Sequence, residues 1–149
     1  MTASDRAMFT RPLVLSLLIA STLEIMNLIV FGLILGQADN LAASFLWSVG
    51  VGGIGMGAIL GVMLDFIVIG QLEDSAAKQA TLFLSTLLLG LVAKVATIYL
   101  GALNIHLGFS QTPVIYLLTG VATAIAGGYT LSYLLFTEKG KQLVVRLGL

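Results

Sequence analysis

The chain has 149 residues, 58% hydrophobic and 9% charged, with mean hydropathy +1.08 and zero formal net charge. A soluble domain carries about 25% charged residues, so this composition cannot cover a water-facing surface, and a neutral chain offers no basic footprint for nucleic acid. The absence of cysteine removes disulfides, thiol catalysis, iron–sulfur ligation and thiolate zinc sites.

Residues 1–11 are short and polar. Arg6 and Arg11 precede an apolar run, as in a signal peptide, but the run continues through Gly36. A signal-peptide apolar region is about 7–15 residues long, so the run reads as an uncleaved first span over residues 12–36, with Pro12 in its first turn, where a missing N–H costs nothing. Residues 37–40 form a tight polar turn. A second span covers residues 41–72, longer than a bilayer requires, so it must tilt, bend or project into water. Residues 73–79 form the next loop, and a third span covers residues 80–103. After a connection over residues 104–112, Pro113 opens a fourth span that ends near residue 136. The tail, residues 138–149, alternates Lys139, Lys141 and Arg146 with aliphatic residues and has the makings of an amphipathic helix at the membrane interface. The expected fold is therefore an all-α membrane protein, a single four-transmembrane-helix bundle.

Arg6, Arg11, Lys78, Lys139, Lys141 and Arg146 all fall on one side of a four-span chain, and the opposite loops hold no Lys or Arg. The positive-inside rule then places both termini in the cytoplasm. Trp47, Tyr99 and Tyr116 fall near the outer interface and Tyr133 near the inner one, the levels of aromatic belts. With no organelle-targeting segment, the expected location is a bacterial inner membrane.

Three charged residues lie within the apolar runs: Glu24, Asp65 and Lys94. A charge at the bilayer centre costs about 2.5–3.5 kcal/mol on insertion scales, so it is normally buried, paired or functional. Glu24 is midway along span one. Lys94 is about 4–5 Å further out on span three, and helical side chains lean toward the helix N-terminus, which brings Lys94 back to the level of Glu24. The two can form an ion pair if their helices touch. Such a pair either fixes helix register or serves as a proton or ion relay or polar substrate site. Asp65 lies about 12 Å toward the cytoplasmic face, where headgroup water is within reach.

Small and polar residues recur at helical spacing around these charges. Ser21, Glu24 and Asn27 share a face of span one; Thr86, Gly90, Lys94, Thr97 and Gly101 share one on span three; Tyr116, Thr119, Thr123, Ala126 and Thr130 form a stripe on span four. Small residues are also the ordinary packing residues of membrane helices. Gly53, Gly57 and Gly61 on span two make two overlapping small-xxx-small steps, which serve packing inside the bundle or contact with a partner subunit. His106, the single histidine, sits in the outer loop with no second metal ligand, and no hydroxyl at span depth has a histidine to activate it. No motif specifies a cofactor.

The stretch Gly50–Gly57 resembles the glycine-rich helix of rotary ATPase proteolipid subunits, which would imply a carboxylate on the following helix. That helix carries Lys94 instead. Residues 23–27 are similar to a short piece of the small complex I membrane subunit, whose second intramembrane glutamate this chain lacks. Each resemblance covers only a few residues, and neither carries a function over. The leading expectation is a small transport-type or energy-coupling membrane protein or subunit, with Glu24 and Lys94 as its polar centre and Asn27, Thr86 and Thr97 in support. The alternative is a non-catalytic structural or assembly subunit of a larger membrane complex. Expected partners are the lipid bilayer and further copies of the chain or other membrane subunits.

Overall fold

A computed structural model describes residues 3–65, 75–103, 107–109 and 113–149, with side chains from residue 11 onward apart from residues 75, 101, 102 and 113. Four helices are long and apolar enough to cross a membrane: Arg11–Ile34, Leu41–Met63, Ala76–Leu100 and Val114–Phe136. The chain is thus an all-helical bundle suited to a bilayer, and among the described residues it contains no strand beyond one isolated bridge between Ala38 and Phe109.

The first span consists of α1 (Ala3–Asn27) and a π-helical continuation, π1 (Leu28–Ile34). Because α1 starts at Ala3, Pro12 lies in its interior and not in a first turn. It removes one rung of the i→i−4 ladder, a loss that membrane helices tolerate when neighbouring groups re-satisfy the carbonyl. The second span begins with α2 (Leu41–Phe45), capped by Asn40, whose side chain accepts from the Ala43 amide at 3.2 Å. It passes through a second π segment, π2 (Leu46–Gly55), and ends in α3 (Met56–Met63). The expected continuation of this span to residue 72 runs into residues outside the described set. The third and fourth spans are α4 (Ser75–Ala102) and α5 (Pro113–Phe136).

Glycine sets how closely these helices approach. A Cβ at Gly53 would lie 2.8 Å from Ser21 Cα, one at Gly57 3.0 Å from Ser16 O, and one at Gly61 2.7 Å from Leu13 Cα. The glycine face of the second span is therefore laid against the α1 backbone, antiparallel to it. Gly90 stands in the same relation to Ala124 and to the Gly120 carbonyl, at 2.9 and 3.3 Å, which seats α4 on α5. The ridge that α4 meets on α5 advances in steps of four through Gly120, Ala124 and Gly128, all buried. For this reason the polar stripe expected on span four divides. Tyr116 and Thr119 point inward, whereas Ala126 and Thr130 are exposed, because close packing follows the i±4 rows.

Polar backbone contacts tie the outer loops together. The Gly108 carbonyl accepts from the Asp39 amide at 3.0 Å and from Ser44 Oγ at 2.6 Å, with Gly108 at φ +80, a conformation that favours glycine. At the opposite end, Leu15, Leu60, Leu64, Leu82 and Leu131 form an apolar cluster. The tail completes it. Helix α6 (Glu138–Arg146) is capped by Thr137, whose hydroxyl accepts from the Gly140 amide at 3.0 Å. It turns back so that Val144 joins the leucines. The expected amphipathic tail is thus docked on the bundle by one ridge, with Leu143, Val145 and Leu147 left exposed.

Candidate functional site

The site begins with two charges on helices that run in the same direction. Lys94 Nζ of α4 lies 3.5 Å from Glu24 Oε2 of α1. Lys94 is 3% exposed and Glu24 9%. Two further features hold this arrangement. The Lys94 ammonium sits over the Tyr116 ring, 4.5 Å from its centroid, a cation–π contact strengthened by desolvation. Glycines also clear the space for both side chains. A Cβ at Gly52 would lie 3.0 Å from Glu24 Cδ, and one at Gly120 would collide with Lys94 Cγ.

Tyr116 therefore does not belong to the interfacial belt that its sequence position indicates. It is buried at 4% exposure, its ring tilted against Phe109 with centroids 5.7 Å apart. Tyr99 and Tyr133 are exposed. Trp47 turns inward and donates from Nε1 to Thr97 Oγ1 at 2.6 Å, and that hydroxyl in turn donates to the Ala93 carbonyl at 2.8 Å.

Two voids meet at Glu24. On the outer side, a void of about 10 Å³ is bordered by Glu24, Trp47, Ser48, Gly52, Lys94, Thr97 and Tyr116. This is about the room of one water. On the side of the termini, a larger cavity of about 60 Å³ lies among the four spans, with Ser16, Ala20, Glu24, Leu60, Thr86 and Leu131 on its wall. Residues 16 and 24 are about 12 Å apart along α1, so this cavity runs from the level of the pair toward the leucine cluster. Each void contains a buried hydroxyl with no hydrogen-bond partner among the described residues, Ser48 Oγ outside and Ser16 Oγ inside. Buried polar atoms are normally satisfied, which sets these two hydroxyls apart from the threonines bonded to their own helices.

The sequence-derived residues distribute as follows. Glu24, Lys94 and Thr97 converge on the outer void, and Glu24 and Thr86 on the inner cavity. Asn27 is buried at the start of π1 and borders neither space. Asp65 also lies apart from both. Its Oδ2 is buried without a hydrogen-bond partner among the described residues, while the residue as a whole is partly exposed. Gly57 borders the inner cavity, while Gly53 and Gly61 pack on α1. His106 and Gly101 fall outside the described side chains.

Gly52, Gly120, Ser16 and Ser48 carry no signal that sets them apart in a sequence rich in glycine and hydroxyls, whereas Tyr116 heads the polar stripe of span four. The π geometry of Leu46–Gly55 is equally silent in the sequence, although such segments occur frequently at functional sites. Among the described residues no group of three or more His, Cys, Asp or Glu is placed to hold a metal ion. Compared with known protein families, curated proteins and solved structures, the chain matches none.

Proposed function

We propose that the chain is a small transport-type or energy-coupling membrane protein in which Glu24 exchanges its positive partner. The observation that supports this most directly is the position of Glu24 on the walls of two voids, one toward each face of the bundle, with Lys94 at 3.5 Å bordering only the outer one. A carboxylate so placed has the Lys94 ammonium as one counter-charge and a proton or cation arriving through the inner cavity as the other. When the second arrives, Lys94 retains the Tyr116 ring as its partner. Intramembrane ionisable groups that face a bundle interior mark such pathways in general. In this reading the protein resides in a bacterial inner membrane with both termini in the cytoplasm, supported by the basic residues gathered at that end. Further copies or other membrane subunits complete the pathway, since four helices leave little room for one.

The test is proton flux into proteoliposomes containing the full chain, driven by an imposed potential and read with an enclosed pH-sensitive dye. Wild type conducts, and Glu24→Gln abolishes the flux while the detergent-extracted protein keeps its helical content. Wild-type flux with both Glu24→Gln and Lys94→Met removes the relay. The chain then reads as a structural or assembly subunit, which comigrates with a larger complex in mild detergent and tolerates both substitutions.

A further inference from the structure

The inner cavity differs from the outer void in its chemistry. Lys94 is absent from its wall, so Glu24 borders this cavity without the ammonium. Its remaining polar groups are hydroxyls. Thr86 Oγ1 donates to the Leu82 carbonyl at 2.7 Å, and Thr123 Oγ1 to the Thr119 carbonyl at 2.9 Å. Each has committed its proton to its own helix and keeps only lone pairs for a further partner. Ser16 Oγ, at 0% exposure, is unpartnered among the described residues and lines the same space. The rest of the wall is apolar, with Ile19, Leu23, Leu60, Leu89 and Leu131 prominent. The space is thus a mostly hydrocarbon chamber with Glu24 at its outer end and Ser16 about 12 Å away at its inner end.

We propose that this cavity binds a small primary alkylammonium ion, with its –NH3+ group directed at Glu24 and its alkyl group against the leucines. The inference rests on the preceding reading, in which Glu24 exchanges its positive partner, and it names the class of that partner. An ammonium brings three donors and no acceptor, which matches a wall that holds Glu24 and two threonines with no proton left to donate. A bare hard cation such as Ca²⁺ would take about six to eight oxygen ligands, more than this mostly apolar wall supplies. A carboxylic or phosphoric anion would face Glu24 and lone pairs. The volume, about 60 Å³, is the room of about four to six waters on the measure that gives the outer void one, which accommodates a short alkylammonium such as propylammonium.

The probe is propylammonium chloride, added to the detergent-solubilised full chain against sodium chloride of equal ionic strength. Propionate and propanol serve as anionic and neutral counterparts. Saturation-transfer NMR and the thermal midpoint are the readouts. Propylammonium shows saturable transfer and raises the midpoint, whereas propionate and propanol do neither at the same concentration. Glu24→Gln weakens binding about tenfold or more, the scale of one hydrogen bond to a charged group. Should that variant fail to fold, the double variant Thr86→Val, Thr123→Val keeps the test open, with an expected weakening of about threefold or more.

Equal binding of propanol or propionate, unchanged binding in both variants, or no saturable binding of propylammonium overturns the proposal. Proton flux measured on the same preparations separates this failure from that of the relay. Flux without amine binding discards the ligand class alone, and amine binding without flux discards the relay alone.

Discussion

Gly120→Ala is the substitution most sharply constrained by the packing of Lys94. The added methyl would collide with Lys94 Cγ, and its other near neighbours, at 3.3 and 3.4 Å, are Lys94 Cβ and Cδ. No backbone atom stands in the way, so the lysine stem must move. Moving it withdraws the ammonium from Glu24 at 3.5 Å and from the Tyr116 ring at 4.5 Å. Breaking a buried pair costs about 3–5 kcal/mol. Replacing glycine by alanine within a helix returns about 1 kcal/mol. The net destabilisation is therefore about 2–4 kcal/mol.

The same substitution in the background Glu24→Gln, Lys94→Ala meets neither Cγ nor a charge pair, and there it is neutral or stabilising by up to about 1 kcal/mol. Reversible unfolding in mixed micelles, followed by circular dichroism in both backgrounds, measures the difference as a coupling energy. An equal cost of Gly120→Ala in the two backgrounds would refute the reasoning, because the obstruction would then lie in the backbone of α5 and not in Lys94.

Three further expectations come from the packing. Gly61→Ala, whose Cβ would lie 2.7 Å from Leu13 Cα, is destabilising by about 1–3 kcal/mol in the same unfolding assay. Gly50→Ala, which meets nothing within 4 Å, changes stability little or raises it by up to about 1 kcal/mol. Gly140→Ala drives a methyl into the Tyr133 carbonyl and against Leu134 Cα, so α6 leaves the bundle and proteolysis within the tail accelerates while the four spans stay intact.

The spans were legible because a bilayer imposes one period and one length on any sequence that crosses it. Span four coincides with its expected limits of 113 and 136, and depth with side-chain lean allows the Glu24–Lys94 pair on the condition, met in the structure, that the side chains of spans one and three meet. Interior geometry was less legible. Tyr116 occupies a position that suits an interfacial belt equally well, and its packing between Phe109 and Lys94 is a tertiary contact. The inward face of α5 follows a four-residue ridge of small side chains, which a stripe of hydroxyls does not reveal. Pro12 looked like a helix start because the polar residues before it gave no sign of continuing the helix. Ser48 and Gly52 meet Glu24 from the π2 segment, whose register a pattern based on 3.6 residues per turn does not follow.

The central claim is that Glu24 is the carboxylate that changes partners between the two voids. Difference infrared spectroscopy of the reconstituted protein reads this group directly, through the carbonyl stretch of a protonated carboxylic acid. Imposing a pH gradient across wild-type proteoliposomes should produce such a band, and Glu24→Gln should abolish it while the amide bands stay unchanged. A spectrum insensitive to the gradient, or a band that persists in Glu24→Gln, would contradict the account.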